Sequence, residues 1–353
     1  MNTLTRNLAA SLIGGAWASA LSLLFIPTYL RYLGVEAYGL VGLLATLQAI
    51  FILFDLGLGA TLNQGLARLS ADPGSRARQG DLLRTFEVIY HGIAVALGGL
   101  LFAAAPAVAR HWVQSQQLSL PDVTAAIRLM AVLCMLQFPS ALYQAGLLGL
   151  QRHVRLNAIA VAGATLRAVG AVLVLMLVSR SIVAFFAWQV VVSALHTAVM
   201  FGATWHALGR VTRAQFDRGI LRAEWRRAAG LSANALALAC ITQADRVILS
   251  RAVPLDDLGY YTLAGTVAGA LWFVILPVNT AVSPRFAQLL AAKDGAALAG
   301  VFHKACQTIA LLVLPIGVTL AAFSHAVVGA WTADAVAAPV SYTHLTLPTI
   351  LRV

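Results

Sequence analysis

Residues 158–178 read AIAVAGATLRAVGAVLVLMLV, twenty-one positions carrying a single charge, Arg167, with Arg152 and Arg155 before the run and Arg180 after it. A bilayer core of roughly 30 Å is crossed by about 20 apolar helical residues. This stretch therefore has the length and composition of a membrane span. Working outward to both termini, eight more runs of the same kind lie between charged or Pro/Gly-rich breaks: 8–30, 39–62, 86–109, 126–150, 182–208, 231–253, 262–282 and 305–328. Nine spans predict an all-α, polytopic membrane helix bundle.

The whole composition agrees. Of 353 residues 60% are hydrophobic and 10% charged, with mean hydropathy +0.83, which leaves too few polar side chains to cover a water-soluble fold of this length. The net charge of +11 does not indicate nucleic acid, because the cations sit in short breaks between apolar runs and not on one face of a soluble fold. Cys134, Cys240 and Cys306 lie in or beside apolar runs without CxxC pairing or His at ligand spacing, and read as packing residues with no metal site and no cofactor. Arg6 followed by an apolar stretch and Ala18-Ser19-Ala20 imitates a cleavable leader, but the run continues to Leu30 and reads as the first span.

Charge asymmetry sets an orientation. With the amino terminus inside, the inner breaks hold 16 cations, the largest group being Arg210, Arg213, Arg218, Arg222, Arg226 and Arg227, whereas the outer breaks hold five: Arg31, Arg110, Arg128, Arg180 and Arg251. The positive-inside rule then predicts a multi-pass protein of the bacterial inner membrane with its N-terminus cytoplasmic. The same cationic loops also suit anionic membrane lipids.

Self-comparison reveals a repeat. Glu36-Ala37-Tyr38-Gly39-Leu40 resembles Asp257-Leu258-Gly259-Tyr260-Tyr261 at a shift of 221, and Ala107-Val108 with Trp112 recurs as Ala326-Val327 with Trp331 at 219. Spans one to three correspond to spans seven to nine. An even offset of six spans gives both copies the same orientation, a parallel repeat about an axis along the membrane normal. The expected organisation is an N-terminal lobe of six spans over 1–208, a basic cytoplasmic linker over 209–230 and a C-terminal lobe of three spans over 231–339. The text changes character at 340–353, which is too polar to span and resembles a translated sequencing-library adapter. It is expected to be a non-native tail replacing about three further helices; a natural short variant with a periplasmic tail is the alternative.

Tyr32-Leu33-Gly34 with Tyr38-Gly39-Leu40, Phe54-Asp55-Leu56-Gly57, Gly149-Leu150-Gln151-Arg152, Asp245-Arg246, Leu258-Gly259-Tyr260-Tyr261 and Pro284-Arg285-Phe286 together resemble the O-antigen and polysaccharide flippase family. That family belongs to the multidrug, oligosaccharidyl-lipid and polysaccharide exporter superfamily. The resemblance extends over about residues 5–338. It implies a two-lobed bundle of twelve to fourteen helices that turns a polyprenyl-pyrophosphate-linked oligosaccharide across the inner membrane by alternating access, as a step in lipopolysaccharide or exopolysaccharide assembly. The partners it implies are the lipid-linked oligosaccharide, a polysaccharide polymerase and glycosyltransferases. With a truncated second lobe, the chain is expected not to transport by itself.

A charge at the centre of a span costs about 2.5 to 3.5 kcal/mol on insertion scales, so ionisable residues there are functional candidates. Arg167 leads them. Gly163, Ala164 and Gly170 are expected to leave room around it for the two phosphates of a lipid-linked donor, the alternative being a salt bridge to Asp55 or Asp245. Gln48, Asp55 and Asn63 fall within roughly one face of span two, and Asn234 and Asp245 within one face of span seven, with Arg246 about 100° away. These seven residues are the substrate-cavity candidates. Glu87 and His91 are four apart, able to share a proton or to form a solvated interfacial pair. Gly265 and Gly269 form a GxxxG packing step. No Walker loop, GxSxG elbow or HExxH appears, which argues against an enzyme and against ATP as the driving force. A drug or cation antiporter of the same superfamily is the second reading; it calls for an acidic cavity, whereas Arg167 and Arg246 here balance Asp55 and Asp245.

Overall fold

The computed structural model describes residues 3–70, 73–209, 214–269 and 294–323, with single positions from 271 to 331; the side chains of 3–12 and most of 223–239 are not described. Every regular element among these residues is helical: α1 (Thr3–Leu33), α2 (Val35–Leu53), α3 (Leu58–Leu69), α4 (Arg76–His111), α5 (Leu120–Gly149), α6 (His153–Leu177), α7 (Ile182–Leu208), α8 (Arg218–Ala252), α9 (Leu255–Gly269) and α10 (Gly295–Ala322). Seven helices are long and apolar enough to cross a membrane: α1 from Ile13, α2, α4, α5, α6, α7 and α10. The protein is a multi-pass helical membrane protein. Much of the predicted eighth span beyond 269, the end of the predicted ninth and the 340–353 tail fall outside the described residues.

Local chemistry explains the ends. Ser119, Ser181 and Asp294 accept the backbone N–H three residues on, and Asp217 that of Gly219, so α5, α7, α10 and α8 each begin on a side-chain cap. α8 starts at Arg218, so the second half of the expected linker is not a separate segment but the first turns of the helix that carries the predicted seventh span, a helix not among the seven apolar enough to cross.

α5 is the central pillar of the helices before residue 209, packed against α2, α3, α4, α6 and α7. Its Ile127, Met130 and Leu133 are sealed with Phe86 and Tyr90 of α4 and Phe186 of α7, and the Tyr90 ring stacks on Phe138 at 4.8 Å between centroids. Pro139 lies in this helix without ending it, as Pro27, Pro106 and Pro315 do in theirs.

Span two is not one helix. It breaks at Phe54–Gly57, where Leu56 (φ 48°) and Gly57 (φ 67°) take left-handed backbone. Asp55 holds the break, its carboxylate accepting the Gly59 N–H at 3.2 Å as α3 begins and the Tyr90 hydroxyl from α4. The continuous polar stripe expected from Gln48, Asp55 and Asn63 therefore does not form.

The two repeat copies meet along α2 and α9. A Cβ on Gly39 would stand 2.2 Å from the Leu255 carbonyl oxygen, and one on Gly259 would stand 2.5 Å from the Val35 carbonyl oxygen. Gly42 faces Thr262 in the same way. At an offset of 220 the first two pairings exchange and Gly42–Thr262 maps onto itself, so the contact is reciprocal, as a two-fold axis between the copies requires. The register is one residue from the 221 expected. Small residues let membrane helices approach this closely, but the GxxxG step at Gly265 and Gly269 is not where α2 and α9 meet: among the described residues Gly265 has only the Arg246 guanidinium near it, and Gly269 has nothing within 4 Å.

One end of this seam is tied by three breaks that topology predicts on one face. The Glu36 carboxylate accepts the N–H groups of Gln116 and Gln117 at 2.6 and 2.7 Å, and the Leu255 N–H donates to the Gln114 carbonyl at 3.0 Å. Trp112 donates to Ser250 at 3.1 Å and lies under the Arg251 guanidinium. At the opposite end the N–H groups of Gln215 and Asp217 donate to Asp81 and Thr85. Thus α8 begins beside the start of α4 and finishes beside its end.

Candidate functional site

Among the helices before residue 209, α2, α5, α6 and α7 enclose a cavity of about 300 Å³. Its polar lining consists of Gln48, Gln137, Ser140, Gln144, Arg167 and His196; Phe51, Phe138 and Cys134 supply apolar wall. Among the described residues no carboxylate lines it. Gln48 donates to Gln137 at 2.6 Å and Gln137 to Ser193 at 3.2 Å, a relay of amides from α2 through α5 to α7. Ser140 lies 3.3 Å from His196 Nδ1 and 3.5 Å from the Gln144 amide nitrogen.

Arg167 is the exception to this pairing. Its Nε is buried without a hydrogen-bond partner among the described residues. Neither expected salt bridge forms there: Asp55 is engaged by Tyr90 and Gly59, and Asp245 by the Tyr261 hydroxyl and, at 2.8 Å, the Arg246 N–H. The glycines beside Arg167 do not leave room for a ligand either. They admit rings from α7, since Cβ atoms at Gly163 and Gly170 would collide with His196 at 2.6 Å and Trp188 at 2.2 Å. The helix is pinned on its other face by Trp17, which donates to Thr165 at 2.9 Å, and Tyr29, which donates to the Ala168 carbonyl at 3.2 Å. Arg167 thus lies among packed rings, with its Nε unpartnered and no salt bridge to Asp55 or Asp245 among the described residues. Breaking a buried ion pair typically costs about 3 to 5 kcal/mol because it leaves one charge uncompensated. A guanidinium in this state favours an incoming anion and repels a cation.

Of the seven sequence candidates, the structure brings Gln48 and Arg167 into one cavity. Asp55 caps the helix break. Asn63 sits on α3 where its backbone packs on Gly149 of α5. Asp245 and Arg246 face α9 through Tyr261 and Gly265. The Asn234 side chain lies outside the described residues. Glu87 and His91 do not share a proton and Glu87 is not solvated: it is 2% exposed, its carboxylate accepts from Tyr143 (2.7 Å), Trp205 (3.3 Å) and Arg84 (2.6 Å), and His91 Nδ1 meets the Glu87 carbonyl instead. Sequence reading missed Gln137, Ser140, Gln144 and His196. A signal for the first three existed, because spacings of three and seven place them on one face of an otherwise apolar span.

A family model described as polysaccharide biosynthesis protein matches residues 4–290. Among curated proteins none matches. A solved structure described as the inward-facing conformation of a multidrug resistance MATE family transporter of the MOP superfamily superposes with TM-score 0.72 at 15% identity, covering 97% of this chain and 76% of that one. The helices therefore adopt the fold of that transporter superfamily.

Proposed function

This chain belongs to the polysaccharide biosynthesis protein family, and from that premise we propose that it turns a polyprenyl-pyrophosphate-linked oligosaccharide across the bacterial inner membrane by alternating access. The observation that carries the proposal is Arg167, whose Nε has no hydrogen-bond partner in a cavity that no carboxylate lines among the described residues. It is suited to the pyrophosphate that all such donors share, while the sugar varies. A cation antiporter would need the reverse polarity at this site, which makes it the weaker reading.

With the amino terminus cytoplasmic, the α2–α9 seam lies at the outer face, so the protein is closed outward. The inward-facing description of the matched transporter accords with that. The 1–208 and 231–339 segments are taken as two lobes that rock about this seam, with no bound nucleotide.

The purified chain in detergent is expected to bind a polyprenyl pyrophosphate, and Arg167→Ala to weaken that binding about tenfold to a hundredfold, the worth of a charged hydrogen bond. Arg167→Lys should recover part of it. In cells whose surface polysaccharide depends on a full-length homologue, replacing the arginine equivalent to Arg167 with Ala should abolish the polymer at unchanged protein level. Equal binding by wild type and Arg167→Ala removes Arg167 from the mechanism, and uptake of a cationic dye would favour the antiporter.

A further inference from the structure

On a face of α5 neighbouring that of the candidate site lies a second concavity, a groove of about 570 Å³. α5 is its floor, at Leu136 and Tyr143; Val88 and His91 of α4 form one wall and Ala194 and Ala198 of α7 the other. All three helices are candidate spans, and both walls are exposed, Val88 by 45%. The groove therefore opens toward the bilayer.

Its charges are arranged unevenly. Glu87 lines the groove with its side chain 3% exposed and both carboxylate oxygens occupied, Oε1 by Tyr143 and Trp205, Oε2 by Arg84. Arg84 is 49% exposed and uses one guanidinium nitrogen on Glu87, leaving other donors free to turn outward. The negative charge is shielded and the positive one presented. Glu87 acts as the anchor that fixes the Arg84 head at the end of the groove where α4 begins, on the side of the bilayer that also carries Arg76 and Arg78.

We propose that this groove holds one anionic phospholipid of the surrounding membrane, its acyl chain lying on α5 between α4 and α7 and its phosphate at Arg84. The exposed apolar surface of Val88, Ala194, Ala198 and Phe201 and the cationic end fit that amphiphile; a soluble anion has no use for the apolar walls, and a zwitterionic lipid gains less from Arg84. The site is separate from the Arg167 cavity and does not depend on what that cavity transports.

The test is native mass spectrometry of the full chain incubated with phosphatidylglycerol or phosphatidylcholine. The wild type should retain phosphatidylglycerol preferentially. Arg84→Ala should lower that preference about fivefold, the weight of one basic residue against an anionic surface. Ala198→Trp fills the groove from an exposed position that threatens no packing, and should remove retention of both lipids; Arg180→Ala, outside the groove, should change nothing. Equal retention of both lipids by the wild type overturns the proposal, as does retention unaffected by Ala198→Trp, or dimerisation of the wild type that Ala198→Trp abolishes.

Discussion

Gly39→Leu is expected to part α2 from α9 and destabilise the protein by about 3 kcal/mol, the upper range for overpacking. The added side chain meets a backbone carbonyl, that of Leu255, which has no rotamer by which to yield, and the reciprocal contact of Gly259 with Val35 opens with it. The seam can be followed directly. With Cys134, Cys240 and Cys306 replaced by Ala, a Gly42→Cys, Thr262→Cys pair should close a disulfide on mild oxidation, because a Cβ at Gly42 stands 3.1 Å from the Thr262 Cβ, slightly inside the usual span of about 3.5–4.5 Å. Adding Gly39→Leu should suppress the cross-link and lower the melting temperature. A cross-link and melting temperature unaffected by Gly39→Leu would mean that the two copies do not meet at these glycines.

The second large effect is expected at Glu87. Glu87→Ala strands the Tyr143 hydroxyl and the Trp205 N–H and releases Arg84 to water; at about 1–3 kcal/mol for each buried donor left without a partner, the loss should be about 3 kcal/mol. Glu87→Gln keeps an acceptor for the two buried donors and loses only the pairing to half-exposed Arg84, which should cost less than about 1 kcal/mol. Thermal unfolding in detergent separates the two variants. Equal losses would place the stabilisation in the ion pair, contrary to this geometry.

Spans were legible because lipid imposes one rule on composition, and a run such as 158–178 satisfies it without knowledge of its neighbours. The break at Phe54–Gly57 was not, since Leu56 and Leu58 keep the run apolar through the turn; the Asp55 and Gly57 pair was visible, but its meaning depends on Tyr90, thirty-five residues away. Intramembrane position singled out Arg167 as a candidate, whereas its surroundings depended on which helices enclose it. Asp55 and Asp245 were natural suggestions by charge alone, and both are satisfied by tyrosine hydroxyls that charge counting overlooks. His196 gave no periodic signal in α7. It enters the cavity because Gly163 on α6 makes room for its ring. The repeat was found from weak identities, while its register came only from backbone contacts that glycines permit.

The central claim is that Arg167 offers a positive charge to a water-accessible cavity that no carboxylate lines among the described residues. The most direct measurement is the modification rate of Gln144→Cys, in a chain with its native cysteines replaced by Ala, by an anionic and a cationic methanethiosulfonate reagent of similar size. Gln144 lines the same cavity. The anionic reagent should react several times faster, and Arg167→Gln should erase that preference. No modification by either reagent, or a preference that survives Arg167→Gln, would contradict the account.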